Sequence, residues 1–194
     1  MMKFKILLVV LFAFAKANFT QAQSPTLKFE KEERVKKEEF PADALPYIQQ
    51  LADGSRIKYY REFDGEQTSY EAKFKTNRRK YSMEYDRDGN LEDIEIEVSK
   101  KLLPKTEWEI IQSRLNTYAK RWKVEKIQLQ YVNNNDDNDH LTLQIARKNY
   151  ENIEMIVAFK DQRNIYRKEL LFNRAGEILK ERDVKRRVYD FLLF

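Results

Sequence analysis

Apolar and polar residues alternate with a period of two through most of residues 57–98, the signature of strands with one face buried and the other polar. Ile57, Tyr59 and Phe63 fall on one side, with Lys58, Tyr60 and Glu62 on the other. Tyr70, Ala72 and Phe74 then alternate with Glu71, Lys73 and Lys75. Tyr81, Met83 and Tyr85 form a third apolar set, and Ile94, Ile96 and Val98 a fourth, interleaved with Asp93, Glu95 and Glu97. Asp64-Gly65, Thr76-Asn77 and Asp86-Arg87-Asp88-Gly89 separate these runs and carry turn chemistry: Asx side chains bond nearby backbone, and glycine accepts positive φ. Ahead of the strands, Leu45, Ile48 and Leu51 recur three apart after Phe40-Pro41 and stop at Asp53-Gly54, which predicts a short helix. Residues 40–102 thus predict one helix followed by a four-stranded antiparallel meander.

The pattern then restarts. Leu103-Pro104 repeats Phe40-Pro41, Thr106 offers an N-cap, and Trp108, Ile111, Leu115 and Tyr118 form a helical stripe. Strands are predicted at Ile127–Tyr131, at Leu141–Ile145 after the polar loop Asn133–Asp139, and at Ile153–Phe159. A closing hairpin, Leu170–Ile178, places Gly176 where Gly89 stood and Phe172 where Tyr85 stood. The expected fold class is therefore α+β, two tandem repeats of one helix plus a four-stranded antiparallel meander, with the helices on one face. Residues 40–102 form the first repeat and 103–194 the second, sharing one core because each is small. Lys28–Glu39 is almost wholly charged, so residues 23–39 read as an exposed lead-in.

These residues resemble the β-lactamase-inhibitor-like, PepSY-like domain family. The matching pieces are Phe40-Pro41 with Tyr85–Leu91, and Leu103-Pro104 with Phe172–Ile178. The resemblance implies a small exported envelope protein whose concave sheet grips a partner protein. The best-known β-lactamase inhibitors of this kind carry disulfides, whereas this chain has no cysteine.

Composition adds a compartment. Lys3 and Lys5 precede the apolar run Ile6–Ala15, and Thr20-Gln21-Ala22 supplies small residues before a cut, the pattern of a signal peptide over residues 1–22. The apolar run is too short to span a bilayer, so no membrane insertion is expected once the leader is removed. A cysteine-free exported chain points to a periplasmic or secreted protein. Removing Lys3, Lys5 and Lys16 lowers the formal charge from +5 to +2, and the remaining charges are interspersed in sign. Nucleic-acid binding wants a field of one sign and is set aside.

Catalytic chemistry finds little support. The single histidine, His140, has no cysteine to act on and no Gly-x-Ser-x-Gly elbow. The Asp86–Asn90 acids lack the glycine position of a calcium loop, and turn chemistry explains them. Four isolated glycines cannot build a phosphate cradle. No metal or cofactor is expected. What remains is a polar sheet face carrying Tyr60, Lys73, Glu84 and Glu95, the predicted binding residues. The expectation is a non-enzymatic periplasmic binding module that docks an envelope protein, inhibitor-like or envelope-sensing. A carrier of a small ligand or peptide is the alternative.

Overall fold

The computed structural model describes residues 26–27, 31–64, 67–134 and 137–184. The predicted leader and the apolar tail Val188–Phe194 lie outside them.

Ten strands form one sheet. In chain order they are β1 (Thr26–Leu27), β2 (Lys31–Val35), β3 (Lys58–Asp64), β4 (Gln67–Thr76), β5 (Arg79–Tyr85), β6 (Leu91–Glu97), β7 (Arg121–Val132), β8 (Asn152–Asp161), β9 (Asn164–Asn173) and β10 (Ile178–Asp183). From β2 to β10 each strand pairs antiparallel with its successor, and β1 pairs parallel with the far side of β10. Three helices accompany them: α1 (Leu45–Ala52), α2 (Lys105–Tyr118) and α3 (Asn138–Arg147).

The sheet cannot be flat. Its two edges are β1 and β2, and only residues 28–30 separate them. Those few residues reach at most about 14 Å, whereas nine strand spacings would hold the edges of a flat sheet roughly 43 Å apart. The sheet therefore curls until its edges approach.

Register gathers most of the large apolar side chains on one face. Ala72, Met83, Ile94 and Tyr131 lie in one cross-strand row, and Phe74, Tyr81, Ile96, Leu129, Ile153 and Phe172 in the next. Ile48 of α1, Ile111 and Leu115 of α2, and Leu141 of α3 close over this face, all but inaccessible to solvent. Each such side chain contributes roughly 1.5–3 kcal/mol through burial. The two hairpins predicted as copies share one local construction. Gly89 N–H donates to Asp86 O at 3.1 Å, and Gly176 N–H to Asn173 O at 2.9 Å. Both glycines have positive φ, and a Cβ there would meet Pro41 in the first case and Ile110 in the second. The hairpin tips thus seat against the start of the first helical segment and against α2.

Three expectations are corrected. The fold class is not two repeats of a helix and a four-stranded meander: β6 runs directly into β7 through five residue pairs, making one continuous sheet. The predicted strand Leu141–Ile145 is instead part of α3. The Asp137 side chain accepts from the N–H groups of Asp139 and His140 and caps that helix, and Lys148 ends it in a left-handed conformation. Leu141 and Ile145, four apart, turn to the core, while Leu143 is 53% exposed. A window of five residues with apolar positions at i, i+2 and i+4 fits either period, and the cap decides it. Finally, the charged lead-in contains a real edge strand, β2, whose Val35 pairs with Tyr59. Phe40, 4% exposed, packs its ring 5.0–5.7 Å from Tyr59, Tyr70 and Tyr85. Charges on an edge strand discourage unwanted pairing, which is why this strand looks like a linker.

Candidate functional site

Among the described residues no helix covers the other sheet face, and its register is set by the same pairings. Tyr60, Glu71, Glu84 and Asp93 form one row across β3–β6. Lys73, Ser82, Glu95, Gln130 and Asn152 form the next, and Gln128, Glu154 and Leu171 follow. The four predicted residues therefore share this face, as alternation required. They do not form one patch. Tyr60 and Lys73 touch, with Nζ 5.0 Å from the ring centre, while Glu84 and Glu95 belong to a second group three and four strands in from the β2 edge. Nor is the face as open as expected. Tyr60 is 8% exposed and Glu95 5%, because long polar side chains lie against one another across the strands. Alternation specifies the face of a residue but not the depth to which its neighbours bury it.

Two carboxylate groups lie side by side here, and they differ in one decisive respect. Glu32, Glu62 and Glu71 converge within 4.8 Å, as do Glu84, Asp93 and Glu95. In the first group Lys73 Nζ sits 2.7 Å from Glu32 and 2.5 Å from Glu71. Burial opposes the charge on Glu71, but Lys73 outweighs it, helped by a short bond from the Ser82 hydroxyl, and holds this carboxyl below its ordinary range. Burial likewise works against the Lys73 ammonium, and Glu71 with Glu32 raises its pKa nonetheless. Lys73 thus pairs with two of the three carboxylates of this group.

The second group has no such cation. Among the described residues no lysine or arginine forms an ion pair with Glu84, Asp93 or Glu95. Burial and then the charges of Asp93 and Glu95 push Glu84 well above the usual carboxylate range. Glu95 is raised by burial, Glu154 and Asp93, with Lys126 opposing. Asp93 is pushed up to about 7, mainly by burial, although the Gln130 amide bonds its charged form at 2.8 Å. Gln128 Nε2 donates to Glu95 at 2.6 Å, and Asn152 donates to Gln130 at 2.9 Å, so two amides hold the acids in position. Two oxygens here remain buried without a hydrogen-bond partner: Asp93 Oδ1 and Gln128 Oε1. Asp93 and Gln128 were not among the predicted site residues. Asp93 follows in sequence from its place in the same alternation, but Gln128 lies on a strand distant in sequence and only the β6–β7 register brings it in.

The remaining candidates are accounted for locally. His140 is exposed on α3 and pairs with Gln144 at 2.9 Å. Asp86 uses its carboxylate on the backbone N–H groups of Asp88 and Asn90, at 2.9 and 2.8 Å. A cleft of about 440 Å³ lies between α2 and β7, with Trp108, Trp122, Val124 and Lys126 in its walls.

A curled antiparallel sheet with helices on a single face defines the class of fold. No family model matches the chain, and no curated protein does. Solved structures do share the fold. A DUF2874 family protein from Bacteroides ovatus is 14% identical with a TM-score of 0.52, the match covering 79% of this chain and 93% of that one. A Bacteroides eggerthii protein provisionally described as periplasmic is 10% identical with a TM-score of 0.51, over 75% and 89% of the two chains. A BLIP-like protein from Bacteroides fragilis is 19% identical with a TM-score of 0.47, over 76% and 89%. Among the described residues no helix is long and apolar enough to cross a membrane.

Proposed function

We propose that this chain is a non-enzymatic binding module of the bacterial periplasm whose helix-free sheet face docks a partner protein. The observation that carries this reading is the second carboxylate group: the fold holds Glu84, Asp93 and Glu95 together, with no described lysine or arginine in an ion pair with them. A face that served only to meet water would gain stability by separating them. The leader-like sequence at residues 1–22 and the fold shared with a protein provisionally described as periplasmic support the compartment. The carrier reading has its own observation in the cleft beside Trp108 and Trp122, but charged Lys126, Glu97 and Glu125 share its walls, unlike the mostly apolar pocket of a carrier.

Photo-cross-linking inside cells tests the docking face. A photoreactive residue at Lys75 or Lys80, exposed on the helix-free face, is compared with one at Gln49 or Arg114, exposed on α1 and α2. The docking reading expects one discrete adduct from the sheet positions and none from the helices. Adducts from the helix positions alone, or from neither set, refute it.

A further inference from the structure

We infer that Glu84, Asp93, Glu95 and Gln128 form a binding site for one hard divalent cation, calcium in the first instance. The inference stands on the site's own geometry and does not depend on the docking reading.

Three carboxylates contribute one oxygen each, all within 4.8 Å of one another. Calcium binds oxygens at about 2.3–2.6 Å, so ligands on opposite sides of the ion stand close to 4.8 Å apart. The group thus already fits inside a calcium shell without movement of the backbone. Rigid support comes from three adjacent strands, β5, β6 and β7, with Glu84 paired to Asp93 and Glu95 to Gln130.

An acidic group alone does not make a site, and two further observations point to a ligand. Asp93, 9% exposed, keeps Oδ1 buried without a partner, although its other oxygen accepts from Gln130. Gln128, 4% exposed, spends its amide N–H on Glu95 and leaves its carbonyl-type Oε1 buried and unpartnered on the same side chain. An unmade hydrogen bond at a buried oxygen is costly, and a cation repays it at both atoms together. The donor set is all oxygen, with no histidine or cysteine, which selects hard ions over zinc or copper. Half-buried Glu84 leaves a route from solvent. The neighbouring group is the internal comparison: Glu32, Glu62 and Glu71 have the same spacing, but Lys73 is paired with Glu32 and Glu71.

Calorimetric titration of the chelator-stripped, leader-free chain with CaCl2 at pH 7.5 tests the inference, with thermal unfolding as a second readout. The expected result is one Ca2+ per chain and a rise in melting temperature at saturating ion. In the Glu84→Gln, Glu95→Gln double variant binding falls at least tenfold and the thermal rise disappears. That variant removes repulsion and keeps the shape of both side chains, so without ion it unfolds no earlier than wild type. Glu97→Gln, outside the group, retains binding. Absence of heat and of any thermal shift with millimolar Ca2+ or Mg2+ overturns the site. So does binding that the double variant leaves intact.

Discussion

Replacing Asp93 by asparagine should stabilise this protein at neutral pH, although it removes a buried, hydrogen-bonded charge. Asp93 is raised from an ordinary 3.8 to about 7, chiefly by burial. A carboxyl whose pKa is higher folded than unfolded binds more protons in the native state throughout that interval. Its contribution to stability is therefore fully present below the unfolded pKa and is lost as pH rises through the folded one. Each unit of separation is worth about 1.4 kcal/mol, so between pH 5 and pH 8 the wild-type chain should lose roughly 3 kcal/mol through this group, an upper figure that solvent relaxation reduces. Asparagine mimics the protonated acid. Its amide oxygen can take the place of the Asp93 oxygen that accepts from Gln130, and its NH2 group the place of the unpartnered Oδ1. The difference between variant and wild type should thus grow by about 2–3 kcal/mol between pH 5 and pH 8. With a urea slope near 2 kcal/mol/M this displaces the unfolding midpoint by about 1 M or more. Urea titrations in chelator-stripped buffer at constant ionic strength give the difference directly; distant titrating groups cancel in it, and relief of Glu84 and Glu95 from the Asp93 charge adds to it with the same sign. A difference that does not change with pH, or a variant that is weaker at pH 8, refutes the argument that this acid is held against its charge.

Lys73→Met should cost about 2 kcal/mol at pH 7, since it leaves buried Glu71 without its cation; the figure is reduced because Lys73 itself is partly exposed. Because the Glu71 carboxyl is held low, that cost should fade as pH drops through its depressed range, which chemical denaturation at pH 7 and pH 3.5 checks. Gly176→Ala places a methyl 2.3 Å from Ile110 Cγ2 at φ +76° and should lower stability by about 2–4 kcal/mol. Adding Ile110→Ala removes the steric part alone, so thermal unfolding of the double variant should show partial rescue. Glu107→Ala should cost about 2 kcal/mol, because this buried acid accepts from the Tyr150 hydroxyl at 2.5 Å and from Arg174 at 3.1 Å and ties α2 to two loops.

Much of this architecture is legible in the sequence, and the failures have specific causes. The strands of residues 57–98 follow from alternation alone because one face is wholly apolar: Ala72, Met83 and Ile94 are fully buried where period two put them. The hairpins follow from Asp86–Gly89 and Asn173–Gly176, whose turn bonds need those residue types. Helix α2 follows from Ile111 and Leu115, four apart. Helix α3 is misread because Leu141, Leu143 and Ile145 fit both periods in so short a run. Strand β2 is misread because four of its five residues are charged. The repeat reading fails for a different reason. Likeness of two hairpins is a local fact, while the joining of β6 to β7 is a pairing between strands separated by α2. For the site, alternation assigns Tyr60, Lys73, Glu84 and Glu95 to one face. It cannot state which acid meets a lysine and which does not, because that depends on the register of five strands.

Glu84, Asp93 and Glu95 converge with no described lysine or arginine in an ion pair with them. Residue-resolved carboxyl titration by carbon-detected NMR measures this most directly, first without divalent ions and then with saturating Ca2+. The account predicts Asp93 titrating near 7, with Glu84 and Glu95 also raised, and all three falling to the ordinary carboxylate range or below once the ion is bound. Ordinary values near 4 in the ion-free protein would contradict it.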